Sequence, residues 1–312
     1  MSGLVLLLAL PALYWPQAAD SAPALKRAGI ERLCVPPDSA AAWREAGFSV
    51  IPLSPADLAS REKLPPPGIA GRAAVASPTR SPWVFASGWR FLRNPAGKYF
   101  YDVPAGKAAL AAAEAFAYGA DAVLKIDPAD VESYGRMLDF LAQLPAADLP
   151  EIADLGVVDD GSPLVGEVMN LLARRNLLFQ VVRAPSPQLP INVRLGTPEY
   201  PQKEAADPSA FALKIRRQLT DEQRRLRVFG TDVVIGRLTG NAERARLHLL
   251  NYGGREIDSL RIRLRGSWAQ GEVFLAGRGP LALEDSTASE GATELSLAGM
   301  STYAVIDLRD AK

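Results

Sequence analysis

Apolar positions change their period along this chain. Up to about residue 225, short apolar runs alternate with alanine-rich amphipathic stretches, the rhythm of strands followed by helices; from Leu226 onward the period falls to two. The first stretch predicts a helix over 18–28, a strand at 31–35, a helix at 38–46 and a strand at 48–53. Gly29 and Gly47 stand where helix C-terminal caps belong. Strands are expected at 72–76 and 82–86, a long polar and aromatic loop at 88–104, a helix at 105–118, a strand at 122–126 and a helix at 129–143. A proline-bounded linker at 145–150 then restarts the rhythm, with strands at 152–158, 177–182 and 191–195 and helices at 162–175 and 208–225. In the last part, Arg246, His248 and Leu250 alternate with Leu247, Leu249 and Asn251. Leu260-Arg-Ile-Arg-Leu-Arg alternates apolar with basic, one face buried and one solvated.

These patterns predict a multidomain α/β plus all-β protein, as 312 residues exceed one core. The expected parts are a shortened barrel-like or open α/β region over 12–147, a second small α/β domain over 151–225 and a C-terminal antiparallel β-sandwich over 226–312. An eight-fold barrel takes roughly 200 residues or more, so a barrel here is shortened. Residues 1–22 carry two readings. Leu4-Val-Leu-Leu-Leu-Ala-Leu resembles the apolar core of a secretory signal followed by small residues, which implies a secreted or periplasmic protein. Alternatively Ala12-Leu-Tyr-Trp is the first strand, which leaves a cytoplasmic protein open. The run is too short, and interrupted by Pro11, for a stable membrane span.

Composition narrows the chemistry. The charges balance at 35 basic and 35 acidic residues, so no global field draws in nucleic acid or an anionic membrane. Arg216, Arg217, Arg224, Arg225, Arg227, Arg261, Arg263 and Arg265 cluster, but interspersed acids give a solvated, salt-bridged face and no nucleic-acid site is expected. The single cysteine, Cys34, sits in an apolar strand and cannot form an intrachain disulfide. The single histidine, His248, leaves no multi-imidazole metal site, and no metal or cofactor is expected. No phosphate-binding glycine loop or nucleophile elbow occurs. Asp159-Asp-Gly-Ser-Pro reads as a helix cap.

Glycoside hydrolysis survives these exclusions because it needs only two carboxyl groups. Asp127 and Asp38 follow predicted strands, the place where α/β folds gather ligands, and are the catalytic candidates. Glu114 lies mid-helix. Trp83, Trp89, Arg90, Tyr99 and Tyr101 crowd one segment in which flat aromatic faces and hydrogen-bonding groups suit a sugar ring, so they are the substrate-binding candidates. The same aromatics also fit a loop that folds over the sheet and fills the core.

Two segments carry a family resemblance. Ala113-Glu-Ala-Phe-Ala-Tyr-Gly-Ala-Asp-Ala-Val resembles a late helix and strand of glycoside hydrolase barrels, and Leu247-His-Leu-Leu-Asn-Tyr resembles the opening of their terminal β-domains. The layout is similar to bacterial beta-galactosidases with a TIM barrel, an amidotransferase-like α/β domain and a small β-sandwich. That resemblance implies a carbohydrate ligand and, if the protein is active, a carboxylate-based glycosidase. The family's own catalytic carboxylates match no motif here. The middle region has no cysteine, so glutamine hydrolysis through a thiolate is excluded there. The alternative is a non-catalytic structural protein that forms homo-oligomers.

Overall fold

Six short parallel strands form the first sheet of the computed structural model, which describes residues 10–70, 83–283 and 285–310. In chain order the elements are β1 (Ala12–Tyr14), α1 (Ala22–Arg27), β2 (Arg32–Val35), α2 (Ala40–Glu45), β3 (Ser49–Pro52), α3 (Pro55–Ala59) and β4 (Glu62–Leu64). Then come β5 (Gly68–Ala70), β6 (Trp83–Phe85), α4 (Gly88–Arg93), β7 (Lys98–Asp102), α5 (Ala108–Ala117), β8 (Asp121–Lys125) and α6 (Val131–Gln143). The sheet order is β3-β2-β1-β8-β7-β4, and its pairings are parallel. With β8 beside β1, this is the neighbour order of a (β/α) barrel carrying six strands and one unpaired seam between β3 and β4.

Alternation along the strands separates the two faces. Leu33, Leu13, Leu124, Tyr101 and Leu64 lie in register and are fully buried; the Tyr101 hydroxyl reaches Glu114 of α5, which shows that this face meets the helices. The other face holds a smaller cluster of Tyr14, Cys34, Leu53 and Val123. Gly29 and Gly47 adopt φ of 71° and 89° after α1 and α2, the left-handed caps that glycine permits without a Cβ clash. β1 is paired on both sides, with β2 and β8. Residues 1–9 and the strand expected at 72–76 lie outside the described residues.

The chain divides into two compact units, Met1–Gly68 with Asn94–Ala146, and Ile69–Arg93 with Ala147–Lys312. The division at Ala146 and Ala147 falls where the barrel-like region was expected to end, but residues 69–93, with α4, group with the second unit. Trp83, Trp89 and Leu92 pack instead into an apolar cluster with Leu155, Val165, Val168 and Met169. The expected loop at 88–104 is also corrected: it contains α4 and β7, whose alternating buried Tyr99 and Tyr101 are a strand's pattern.

The second unit contains β9 (Leu155–Val158), α7 (Pro163–Ala173), β10 (Phe179–Val182), β11 (Ile191–Val193) and α8 (Pro208–Leu219). Its small sheet is parallel in the order β10-β9-β11. Two antiparallel sheets follow, built from β12 (Leu226–Phe229), β13 (Val234–Gly240), β14 (Arg244–Asn251), β15 (Ile257–Arg265), β16 (Trp268–Leu275), β17 (Pro280–Ala282), β18 (Ser286–Ser289), β19 (Ala292–Met300) and β20 (Tyr303–Asp310). Their orders are β12-β15-β19-β18 and β13-β14-β20-β16-β17, with Leu247, Leu249, Leu260, Ile262, Leu295 and Ile306 in the core between them.

The small α/β region and the sandwich, expected as separate domains, are fused. Leu178 lies in the sandwich core, Ile152 N–H donates to Leu238 O at 3.0 Å, and the Asn176 side chain bonds Val234 O and Gly236 N–H at 2.9 and 2.7 Å.

Candidate functional site at the carboxyl edge of the barrel-like sheet

Parallel strands bring their carboxyl ends to one edge, and in the first unit that edge carries acidic groups. Asp102 ends β7 and Lys125 ends β8; they are register partners and form an ion pair at 3.2 Å. Asp127 follows β8, and its Oδ1 accepts the Ala129 N–H at 2.9 Å, capping the 3-10 turn Pro128–Asp130. Asp38 lies exposed in the turn Pro37–Ser39 after β2. β1 alone separates β2 from β8, so the two carboxylate-bearing loops leave the sheet about 10 Å apart at the backbone.

A fourth acid, which the sequence reading did not single out, shapes this rim. Asp130 is buried, and its carboxylate accepts from Gly106 N–H at 2.8 and 2.9 Å and from Lys107 and Ala108 N–H at 3.2 Å. Lys107 gives α5 no side-chain cap, so Asp130 supplies one from a neighbouring loop. It thereby ties the loop after β7 to the loop after β8. The only sequence signal was negative: a predicted helix with no capping residue of its own.

The aromatic candidates do not form one platform. Tyr99 and Tyr101 are 1% and 0% exposed, and their hydroxyls donate to Asn94 O at 2.7 Å and to Glu114 at 2.5 Å. Trp83, Trp89 and Arg90 belong to the second unit, where Trp89 is 8% exposed, the Arg90 guanidinium stacks over Trp89 at 4.4 Å and Arg174 over Trp83 at 3.9 Å. These rings fill cores because strand alternation and helix packing turn them inward. The core-filling reading of the segment describes them.

The other singled-out groups are structural. Burial pushes the Cys34 thiol up. Burial, then the charges of Arg237 and Arg246, hold His248 well below its usual range; its Nδ1 lies 2.6 Å from the Tyr303 hydroxyl. Asp160 and Ser162 bond within the turn before α7, and Asp159 takes a bidentate ion pair from Arg93 at 2.8 and 2.9 Å. A cavity of about 650 Å³ lined by Arg27, Arg32, Arg136 and Asp139 opens at the opposite, amino edge of the sheet. Barrel folds place chemistry at the carboxyl edge, so the cavity does not compete as the site. No cluster of metal-binding side chains occurs among the described residues.

The sequence matches no family model and no curated relative. Solved structures do resemble it. An alpha-L-fucosidase isoenzyme 2 from Paenibacillus thiaminolyticus superposes with a TM-score of 0.51 at 10% identity, covering 88% of this chain and 71% of that one. The chain has a glycoside-hydrolase-like fold. A rhamnosidase from Novosphingobium sp. PP1Y aligns with a TM-score of 0.44 at 11% identity over 69% of this chain and 32% of its own. A GH42 beta-galactosidase from G. stearothermophilus aligns with a TM-score of 0.38 at 9% identity over 96% and 60%.

Proposed function

We propose that this protein is a carbohydrate-binding relative of glycoside hydrolases that meets its ligand at the carboxyl edge of the six-stranded sheet. The observation that carries the reading is the barrel-type strand order, which gathers Asp38, Asp102, Lys125 and Asp127 on one rim. Those groups offer hydrogen-bond acceptors and a donor for sugar hydroxyls. A glycosidase requires one carboxyl to donate a proton while its partner stays ionised.

Titration of the intact protein against a glycan array, followed by tryptophan fluorescence, tests this. Saturable binding that weakens in Asp38→Asn and Asp127→Asn, with no sugar released, supports it. Hydrolysis abolished by Asp127→Asn replaces it with an enzyme, and the absence of binding to any glycan rejects both. A second reading, self-assembly, draws on the paired ribbon β5–β6, which exposes Ile69 and Phe85. A mass measured by light scattering at several concentrations decides it.

A further inference from the structure

The outer face of the sheet β12-β15-β19-β18 concentrates positive charge on a protein with none in net. Leu260, Ile262 and Leu264 of β15 point into the sandwich core, so the alternate residues Arg261, Arg263 and Arg265 point out. Register sets Arg227 of β12 directly opposite Arg263 and Phe229 opposite Arg261, while Arg265 N–H donates to Arg225 O one step further. The guanidinium groups of Arg227 and Arg261 lie 4.6 and 5.7 Å from the centre of the Phe229 ring.

Few acids answer these five arginines. Arg261 pairs with Glu294 of β19, and Arg227 shares Asp221 with Arg216 and Arg224. Arg263 Nη1 is buried without a hydrogen-bond partner, whereas Arg225 and Arg265 are exposed, with Arg265 Nη1 donating to Gln223 O at 3.3 Å. Like charges opposite each other on a sheet are unfavourable, and Glu294, in register with Arg263 on its other side, offsets the contact with Arg227 only in part because it also pairs with Arg261.

We infer that this face is a docking surface for a polyanionic glycan, bearing carboxylate or sulfate groups. All five cations are arginines, whose planar forks match such oxyanions two bonds at a time, whereas lysine would act as a point charge. Arginines repeat at about 5 Å across the strands and about 7 Å along one strand, so they form a two-dimensional lattice that suits a charged polymer. Phe229 offers an apolar face to sugar C–H groups. Single-stranded nucleic acid fits less well, because this face carries one aromatic ring where base stacking calls for several, and the duplex arm of the test separates double-stranded DNA.

The test uses the full-length protein and calorimetric titration with polygalacturonate, heparin, neutral dextran and a DNA duplex, at about 50 mM and about 200 mM salt. The variants are Arg225→Gln/Arg265→Gln and, as a control away from this face, Arg136→Gln. Binding to one or both acidic glycans and not to dextran is expected, weakening with salt. The double variant should lose about tenfold or more in affinity with a shallower salt dependence, while its thermal midpoint stays the same or rises. The Arg136→Gln control removes an exposed arginine elsewhere and should bind the acidic glycans as the wild type does, which separates this surface from a general effect of charge. The inference is overturned by acidic glycans binding no better than dextran, by equal affinity in the double variant, or by tighter binding to DNA. Polygalacturonate and heparin distinguish a carboxylate ligand from a sulfate one.

Discussion

Replacing Asn176 tests how the small α/β region is joined to the sandwich. Asn176 follows α7 with φ of 52°, and the Leu177 N–H closes the helix end on Leu172 O at 3.1 Å. Its side chain, 7% exposed, donates to Val234 O and accepts from Gly236 N–H, both on β13. Asn176→Ala removes both bonds and leaves one buried donor and one buried acceptor without partners, at about 1–3 kcal/mol each. It also places a Cβ-bearing residue with no compensating side chain in the left-handed region, which adds about 1 kcal/mol. Asn176→Gly removes the same bonds but tolerates the backbone. The alanine variant is therefore expected to lose about 3–7 kcal/mol and the glycine variant about 1 kcal/mol less. For a body of this size each kcal/mol lowers the midpoint by roughly 2–4 °C. Urea denaturation with scanning calorimetry reads both. A glycine variant within about 1 kcal/mol of wild type refutes the bonding argument, and identical alanine and glycine variants refute the backbone argument.

Other outcomes follow from buried charge and close packing. Asp154, 2% exposed, is pushed up to about 6 by burial against the opposing bond from Arg225 N–H, so the native state holds its proton more tightly than the unfolded chain does. Stability from this group is complete below about pH 4 and is lost as pH rises through about 6; the rise from 3.8 corresponds to about 3 kcal/mol. Asp154→Asn should therefore gain on wild type across that window in urea titrations, and parallel pH profiles would sink the idea. Because His248 is the sole histidine, the protein has one imidazole resonance, expected to stay constant from about pH 8 to 5 by NMR; a midpoint near 6.5 contradicts the burial argument. Arg93→Ala breaks the bidentate pair with Asp159 and a 2.9 Å bond to Ser162 O, and should cost about 2–3 kcal/mol in urea denaturation. Gly166→Ala places a methyl 2.7 Å from Arg93 Nη1 and 3.0 Å from Trp89, and should loosen α4 from α7, seen as faster amide exchange in α4.

Local rules recovered most elements. The caps at Gly29 and Gly47, the helices α5 and α6 and the alternation of Leu260–Leu264 follow from residue type and period, which act over a few neighbours. The segment 88–104 was misleading because its polar and aromatic residues carry a loop's composition, whereas α4 and β7 are stabilised by burial against partners elsewhere. The candidate site was legible only as strand-end carboxylates. Asp130 was not, since its three N–H partners lie more than twenty residues away.

The sequence by itself determined the α/β-then-β layout, the absence of multi-histidine metal chemistry and the alternating arginines of β15, all consequences of composition and period. Only the tertiary structure decided that the six parallel strands take a barrel's neighbour order and that Trp89 and Tyr101 fill separate cores. The same holds for the fusion of the small α/β region to the sandwich and the placing of the arginines of β12 opposite those of β15. Strand pairing and burial join residues far apart in the chain, and no local period encodes which partner each will find.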